Sequence, residues 1–365
     1  MILRRSIEGV DTTTAGFIGP TQRGPNAGPP EALPSFAVYE RIYGGPGDLV
    51  VDGEATTNYM FHAARAYFEE GGTRLYVSRV SDESVEQYRQ GLVRFEAIED
   101  LSIVAAPGAS RYSHGQDVGT ELVRHCETMR YRMAVLDTPP GASVQEACDY
   151  RRQTQASPHA AMYHPWVTVD VRGGTPLQLP PSGFVAGIWA RNDVDHSVSR
   201  SPADEEVGSA ADLEVRLDRE QQDALQAEGV NCLRFIPDRG VVVWGARTLS
   251  DDPEWRYVNV RRYLAYLEHS IDRGTRWAMF EPSDEALWAE VRDTVEEFLM
   301  AEWQAGALQG TRAEEAFFVR CDRSTMTQDD VDNGWLMCLI GVALLRPAEF
   351  VIFRIGQWPA GWSAS

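Results

Sequence analysis

The chain has 365 residues, a formal net charge of -20 and a hydrophobic fraction of 43%. This length is enough for two or three domains that each have their own core. The acidic charge argues against nucleic acid or an anionic membrane as a direct partner, because both require a basic surface. The chain contains no run of about 18 apolar residues, the length of a membrane helix, and its start shows no secretion signal. We therefore expect a protein that folds in the cytoplasm without inserting into a membrane.

The sequence has no lysine, so contacts between copies would use planar, bidentate arginine side chains. Its five cysteines are scattered without a CxxC pair, a pattern typical of free buried thiols rather than disulfides or a zinc site. They are Cys126, Cys148, Cys232, Cys321 and Cys338.

Residues 1–35 are rich in glycine, proline and threonine, and they predict an extended arm with one short strand at residues 15–18. A helix ended by Gly71 and Gly72 follows in NYMFHAARAYFEEGG, and then a strand in RLYVSRV. Between residues 85 and 250, helical stretches alternate with short strands, the pattern of an α/β layer domain. A polar stretch that begins at Arg191 predicts a long surface loop.

The segment from residue 251 to 345 begins with an amphipathic helix closed by Gly274, followed by a predicted strand in TRWAMFEP. A second amphipathic helix, from Ser283 to Trp303, has an acidic outer face. That face is either solvated or a docking surface for a basic partner. The stretch STMTQDDVDNG predicts a capped helical turn that ends at Gly334, and WLMCLIGVALLRP then predicts a strand.

The last predicted strand, in AEFVIFRIGQW, is apolar on both faces: Val351, Phe353 and Ile355 alternate with Phe350 and Ile352. An exposed strand of this kind is an aggregation hazard. Either it packs into its own domain or another molecule binds it.

The sequence shows no recognisable catalytic or ligand-binding motif. RYSHGQD and DVDHSVSRSPAD contain serine, histidine and aspartate, but neither forms a GxSxG nucleophile elbow. The sequence has no HExxH, GxGxxG or GxxxxGK[ST] motif. We therefore predict no catalytic residue, no metal and no cofactor.

Four stretches, residues 9–25, 58–80, 229–292 and 310–358, resemble the contractile tail sheath proteins of phage tails, R-type bacteriocins and extracellular contractile injection systems. The resemblance implies an α/β (α+β) fold with a middle domain of subtilisin-like topology, a C-terminal sheath domain, and two arms that add strands to neighbouring subunits. The implied divisions are residues 1–22 (N-terminal donor arm), 23–84 (N-terminal part of the core), 85–250 (middle domain), 251–347 (C-terminal domain) and 348–365 (C-terminal donor arm).

The resemblance also implies which residues lie at subunit interfaces. The donated strands would contain Thr13, Ala15, Phe17, Ile18, Phe350, Val351, Ile352, Phe353 and Ile355. The candidate residues facing an inner tube are Glu290, Asp293, Glu297 and Trp303.

The implied function is structural rather than enzymatic. Copies of the chain would stack as hexameric rings around an inner tube and contract to drive that tube through a target envelope, with baseplate and terminal cap proteins as further partners. The sheath would assemble in the cytoplasm and could be released in a particle, and the short length favours a bacteriocin-like or extracellular particle. The alternatives are an end-capping sheath paralogue and an α/β hydrolase.

Overall fold

A computed structural model of the chain describes residues 5–51, 53–171 and 174–347. The predicted strand at residues 350–355 lies outside them. The strands are β1 Ala15–Pro20, β2 Ala32–Leu33, β3 Leu49–Val51, β4 Glu54–Thr56, β5 Leu75–Val80, β6 Ile103–Ala105, β7 Met133–Asp137, β8 Ala160–His164, β9 Val167–Val169, β10 Leu177–Leu179, β11 Glu205–Glu206, β12 Asp212–Leu213, β13 Val230–Ile236, β14 Gly240–Val243, β15 Phe317–Arg320 and β16 Leu339–Val342. The α-helices are α1 Phe36–Tyr43, α2 Tyr59–Glu69, α3 Val85–Val93, α4 Gly115–Met129, α5 Val144–Gln153, α6 Ser182–Asp195, α7 Arg219–Ala227, α8 Val258–Thr275, α9 Glu285–Gln304, α10 Ala313–Ala316 and α11 Gln328–Asp332.

A nine-stranded sheet with the order β11-β14-β13-β8-β7-β6-β1-β5-β2 forms the centre of the molecule. Its six inner strands, from β13 to β5, are parallel. In chain order these six have the arrangement 2-1-3-4-5-6, which is that of a doubly wound sheet whose switch point lies between β1 and β6. Strands from residues 15–80 and from residues 103–243 belong to this one sheet, so the predicted division at residue 84 does not separate two sheets.

Helices cover both faces of this sheet, as a parallel sheet requires. Helices α1, α2 and α6 pack on one face and α3, α4, α5 and α7 on the other. The predicted helix in NYMFHAARAYFEEGG is confirmed as α2, and Asn58 caps it by accepting a hydrogen bond from the backbone N–H of Phe61. The prediction of a mixed α/β fold is confirmed.

A separate core is built by α8, α9 and the antiparallel pair β15–β16. The capped turn is confirmed as α11, where Thr327 and Asp330 form a capping box and Gly334 follows with a φ of 75°. The predicted strand in TRWAMFEP is wrong. Residues Arg276–Phe280 form a 3₁₀ helix, and the side chains of Met279 and Phe280 are 75% and 84% exposed.

The polar stretch that begins at Arg191 is also not a loop throughout, because α6 continues to Asp195. Two of its polar side chains, those of Asn192 and Asp193, are almost fully enclosed. The amide of Asn192 donates to the carbonyl of Arg200 at 3.1 Å. The polarity of these two residues reflects hydrogen bonding and ion pairing within the fold rather than solvent exposure.

Candidate assembly surfaces

The predicted N-terminal donor strand is β1, and it lies inside the chain's own sheet. It pairs with β5 over six residues and with β6 on its other side. Ala15, Phe17 and Ile18 are fully buried, and the ring of Phe17 packs edge-on against Tyr67 at 5.6 Å. The prediction that these residues are donated to a neighbour is therefore wrong.

The physical reason lies in the composition of the segment. A high content of glycine and threonine indicated a segment that could not bury itself, but here the glycines permit close packing. A Cβ atom at Gly16 would lie 2.9 Å from Leu101, and one at Gly19 would lie 2.8 Å from Met60. Thr13 is likewise engaged within the chain, because its hydroxyl lies 2.9 Å from that of Thr73.

The residues before β1 pack along the C-terminal domain of the same chain. The guanidinium of Arg5 lies 3.7 Å from the ring centroid of Trp277 and 2.9 Å from the carboxylate of Glu281. Further along, the backbone N–H of Val10 donates to the hydroxyl of Ser270 at 3.1 Å. Sequence reasoning missed this contact, since no local pattern marks a coil segment that binds a distant helix.

A buried ion pair joins the central sheet domain to the C-terminal domain. Arg262 of α8 donates to Asp193 of α6 at 2.7 Å, and the two side chains are 4% and 3% exposed. Arg262 also donates to the carbonyl of Thr12 and lies over the ring of Trp189. Because a charge buried at this depth requires its partner, the pair holds the two domains and the N-terminal segment together.

The β15–β16 sheet has one buried and one open face. Val319 points into the C-terminal core and is 7% exposed, whereas Phe318 and Leu339 are 46% and 53% exposed. Among the described residues neither strand pairs with a third strand. A two-stranded sheet is only marginally stable by itself. Its exposed apolar face and unpaired edges are the features of a surface that binds another strand.

Helix α9 brings together three of the four predicted tube-facing residues. Glu290, Asp293 and Glu297 lie on one exposed face of the helix. Trp303 is partly buried, and its indole N–H donates to the carbonyl of Gly310 at 3.0 Å. The three carboxylates form one acidic surface. Trp303 is not part of it, because its hydrogen bond to Gly310 holds it against the segment that follows the helix.

The carboxyl edge of the parallel sheet is where an α/β enzyme would place its site. There the hydroxyl and the backbone N–H of Ser182 both donate to the carboxylate of Asp137 at 2.7 Å. Burial raises the pKa of Asp137 to about 7, although the hydrogen bonds from Ser182 oppose the shift. The ring of His164 lies 2.8 Å from the hydroxyl of Thr138 and is not hydrogen-bonded to Ser182. Ser182 is therefore hydrogen-bonded to an acid, Asp137, and not to a base. This arrangement stabilises the sheet edge and does not activate a nucleophile.

Within residues 5–51, 53–171 and 174–347, no group of three histidine, cysteine, aspartate or glutamate side chains is placed to hold a metal ion. In the same part of the chain, no helix combines the length and apolar character needed to span a membrane.

Two family models match consecutive parts of the chain. The phage tail sheath protein central domain matches residues 84–249, and the phage tail sheath C-terminal domain matches residues 250–357. A putative prophage major tail sheath protein of Pseudomonas aeruginosa (strain UCBPP-PA14) is 27% identical over 276 residues, which are 73% of this chain and 68% of that protein. The tail sheath protein of Enterobacteria phage T4 is 23% identical over 177 residues, and the match spans only 26% of its length.

Solved sheath structures match almost the whole chain. The contracted helical sheath of the anti-feeding prophage (AFP) is 28% identical, with a TM-score of 0.84 and coverage of 97% of this chain and 96% of that one. The contracted sheath complex of the extracellular contractile injection system PVC is also 28% identical, with a TM-score of 0.83 and coverage of 97% and 94%. The chain therefore belongs to the phage tail sheath family, and it is a structural subunit of a contractile tail rather than an enzyme.

Proposed function

We propose that copies of this chain stack as hexameric rings around an inner tube and that the array contracts to drive the tube into a target envelope. The observation that carries the proposal is the open β15–β16 sheet, which leaves two edges and an apolar face for a neighbouring subunit. A contact that passes from one copy to the next without closing on itself produces a helical array. The likeness to helical AFP and PVC sheaths supports this geometry.

The occupant of the β15–β16 sheet is the C-terminal segment, residues 348–365, of a second copy. The sequence EFVIFRIGQW is strongly strand-forming and apolar on both sides. Fully extended, a segment of this length reaches on the order of 60 Å, which is enough to leave its own subunit. Main-chain hydrogen bonds would hold the added strand, and Val351, Phe353 and Ile355 would specify its position. Each of these side chains contributes on the order of 1.5 to 3 kcal/mol when buried, before the cost of ordering the segment.

The N-terminal arm has a smaller part in this proposal than the sequence predicted. Residues 5–20 lie within the chain's own fold, so the strand exchange depends on the C-terminal arm. The connection between copies is one donated strand for each subunit.

The acidic face of α9, formed by Glu290, Asp293 and Glu297, contacts the inner tube in this proposal. Its charge requires a basic surface on the tube, because like charges at close range would oppose assembly. Since both surfaces are solvated before assembly, salt would screen the attraction.

The proposal places assembly in the cytoplasm, with baseplate and terminal cap proteins at the two ends of the sheath and release of the finished particle afterwards. The coverage of more than nine-tenths of the AFP and PVC sheaths favours an extracellular injection particle over a large phage tail.

The test is negative-stain electron microscopy of three purified chains: full length, a chain that ends at Pro347, and a chain that ends at Trp358. The last keeps the apolar strand and loses only residues 359–365, so it controls for shortening the chain. Tubes with sixfold end views are expected from the full-length chain and from the chain that ends at Trp358, but not from the chain that ends at Pro347. Monomers in all three samples would contradict strand donation.

A second candidate is a sheath paralogue that caps the end of the array. A chain of the sixfold symmetrised AFP baseplate structure is 29% identical, with a TM-score of 0.81 and coverage of 98% of this chain and 96% of that one. An end-capping protein would give single rings or short stacks instead of long tubes in the same images.

A further inference from the structure

We propose that Cys321 and Cys338 form an oxidisable thiol pair that closes into a disulfide across the β15–β16 sheet. The register of the sheet pairs Arg320 with Leu339. The next residues along the two chains, Cys321 and Cys338, therefore stand directly opposite each other at the end of the ladder. Both are free thiols in the structure.

The pairing class of these two positions suits a disulfide. The backbone N–H of Ala343 donates to the carbonyl of Ala316 at 2.8 Å, so that pair is hydrogen-bonded. Hydrogen-bonded and non-hydrogen-bonded pairs alternate along an antiparallel ladder, which makes Cys321–Cys338 a non-hydrogen-bonded pair. In that class the Cα atoms approach to about 4.5 Å and the side chains are closest, within the range that a disulfide bridges.

The two side chains also share a face and a local environment. They lie on the side of the sheet that packs on α9 with Val319, and Cys321 is 1% exposed. The hydrogen bond from Cys338 lowers the pKa of Cys321, and the positive charge of Arg292 acts in the same direction. The same hydrogen bond, together with burial, raises the pKa of Cys338. Cys321 is thus the thiol that ionises first and the better nucleophile.

Oxidation by a peroxide proceeds in two balanced steps. The Cys321 thiolate attacks one oxygen of hydrogen peroxide; the O–O bond breaks, an S–O bond forms, and the leaving hydroxide takes a proton to become water. The Cys338 thiol then attacks the sulfenic sulfur of Cys321; the S–S bond forms, the S–O bond breaks, and the hydroxyl leaves with the proton of the Cys338 thiol as a second water. Two thiols and one peroxide give one disulfide and two waters.

The other three cysteines provide an internal comparison. Cys148 and Cys232 are close enough for the charge of one to affect the other, yet burial raises the pKa of both thiols, that of Cys232 to about 12. Burial likewise raises the pKa of the Cys126 thiol to about 12. These thiols stay protonated at neutral pH and react slowly.

The experiment treats the full-length chain with hydrogen peroxide and counts free thiols after denaturation. The number of free thiols in the wild-type chain is expected to fall by two, from the five cysteines of the sequence. Tryptic digestion without reduction should give a disulfide link between the peptide that contains Cys321 and the peptide that contains Cys338. In Cys338→Ser the second step has no attacking thiol, so Cys321 is expected to stop at the sulfenic acid, which dimedone captures. Cys232→Ser is the matched control and should still lose two thiols.

Three results would overturn the proposal: a link that involves Cys126, Cys148 or Cys232, a dimer between chains in place of the internal link, or no loss of thiols. The readout is independent of polymerisation, so failure of strand exchange leaves this test intact. If the proposed strand exchange holds, the disulfide would lock the register of the accepting sheet when a particle leaves the reducing cytoplasm; that consequence rests on the proposed function.

Discussion

The two sheets of this chain differ in how their faces and edges are covered. The nine-stranded sheet has helices on both faces, and most residues of its inner strands are buried. The β15–β16 sheet is covered on one face only and has no third strand among the described residues. The first is complete within one subunit, whereas the second provides surface for another molecule. A single chain thus contains a rigid body and an incomplete sheet, which is the combination that a helical polymer needs.

The largest expected effect is a difference in stability between two variants, each of which replaces one apolar residue in one of the two sheets. Phe17→Ala removes a fully buried ring from β1 and should lower the free energy of unfolding by about 3–5 kcal/mol. Leu339→Ala removes a side chain that is 53% exposed on β16, and should change it by less than about 0.5 kcal/mol. Urea denaturation of dilute full-length protein measures both values. Similar losses in the two variants would mean that the open face of β15–β16 is already covered within the subunit.

The second effect concerns pH and the edge of the central sheet. The pKa of Asp137 is raised from its ordinary value near 3.8 to about 7 by burial. The folded protein therefore binds a proton that the unfolded chain releases, so the stabilising contribution of Asp137 is complete below about pH 4 and is lost as the pH rises to about 7. The slope is at most about 1.4 kcal/mol per pH unit. Asp137→Asn should remove this part of the pH dependence while the amide keeps contact with Ser182.

Urea midpoints at several pH values between 4 and 8 compare Asp137→Asn with wild type. Glu206→Gln is the control, since that carboxylate is exposed on the edge strand β11 and pairs with Arg239. An unchanged slope in Asp137→Asn would show that other groups determine the pH dependence.

Sequence reasoning predicted elements whose pattern is local. Helices α2, α8 and α9 were predicted from apolar residues at helical spacing, and α11 from its cap and its glycine. The family resemblance correctly implied a structural subunit of a contractile tail sheath. The exposure of Glu290, Asp293 and Glu297 on one face of α9 was also predicted correctly, because helical periodicity alone places them together. Their contact with an inner tube stays a prediction.

The errors concern contacts between distant segments. The strand at β1 was predicted, but its position in the sheet depends on Tyr67, Phe95 and Leu101, which no local pattern connects to it. The local sequence predicts a loop where α6 ends, because the burial of Asp193 depends on Arg262, 69 residues later. The C-terminal donor residues lie outside the described part of the chain and stay a prediction.

The smallest expected effect on stability tests the surface assigned to the inner tube. The triple variant Glu290→Gln, Asp293→Asn, Glu297→Gln removes three exposed charges. The ion pairs of these residues, such as that of Glu290 with Arg5 at 3.6 Å, lie in solvent. Such pairs contribute about 0–1 kcal/mol, so the free energy of unfolding should hardly change. Tube formation by the sheath alone should also persist, because it depends on the strand exchange.

Co-assembly with the inner tube protein is expected to weaken and to lose its dependence on ionic strength, since the attraction removed is a screened one. The control carries Glu220→Gln, Asp223→Asn and Asp238→Asn, which removes the same charge from exposed positions of the central domain. Sedimentation of sheath with tube at low and high salt distinguishes the two triple variants. If both variants co-assemble equally well, the acidic face of α9 is a solvated surface, and the incomplete β15–β16 sheet is then the remaining candidate for contacts with other proteins.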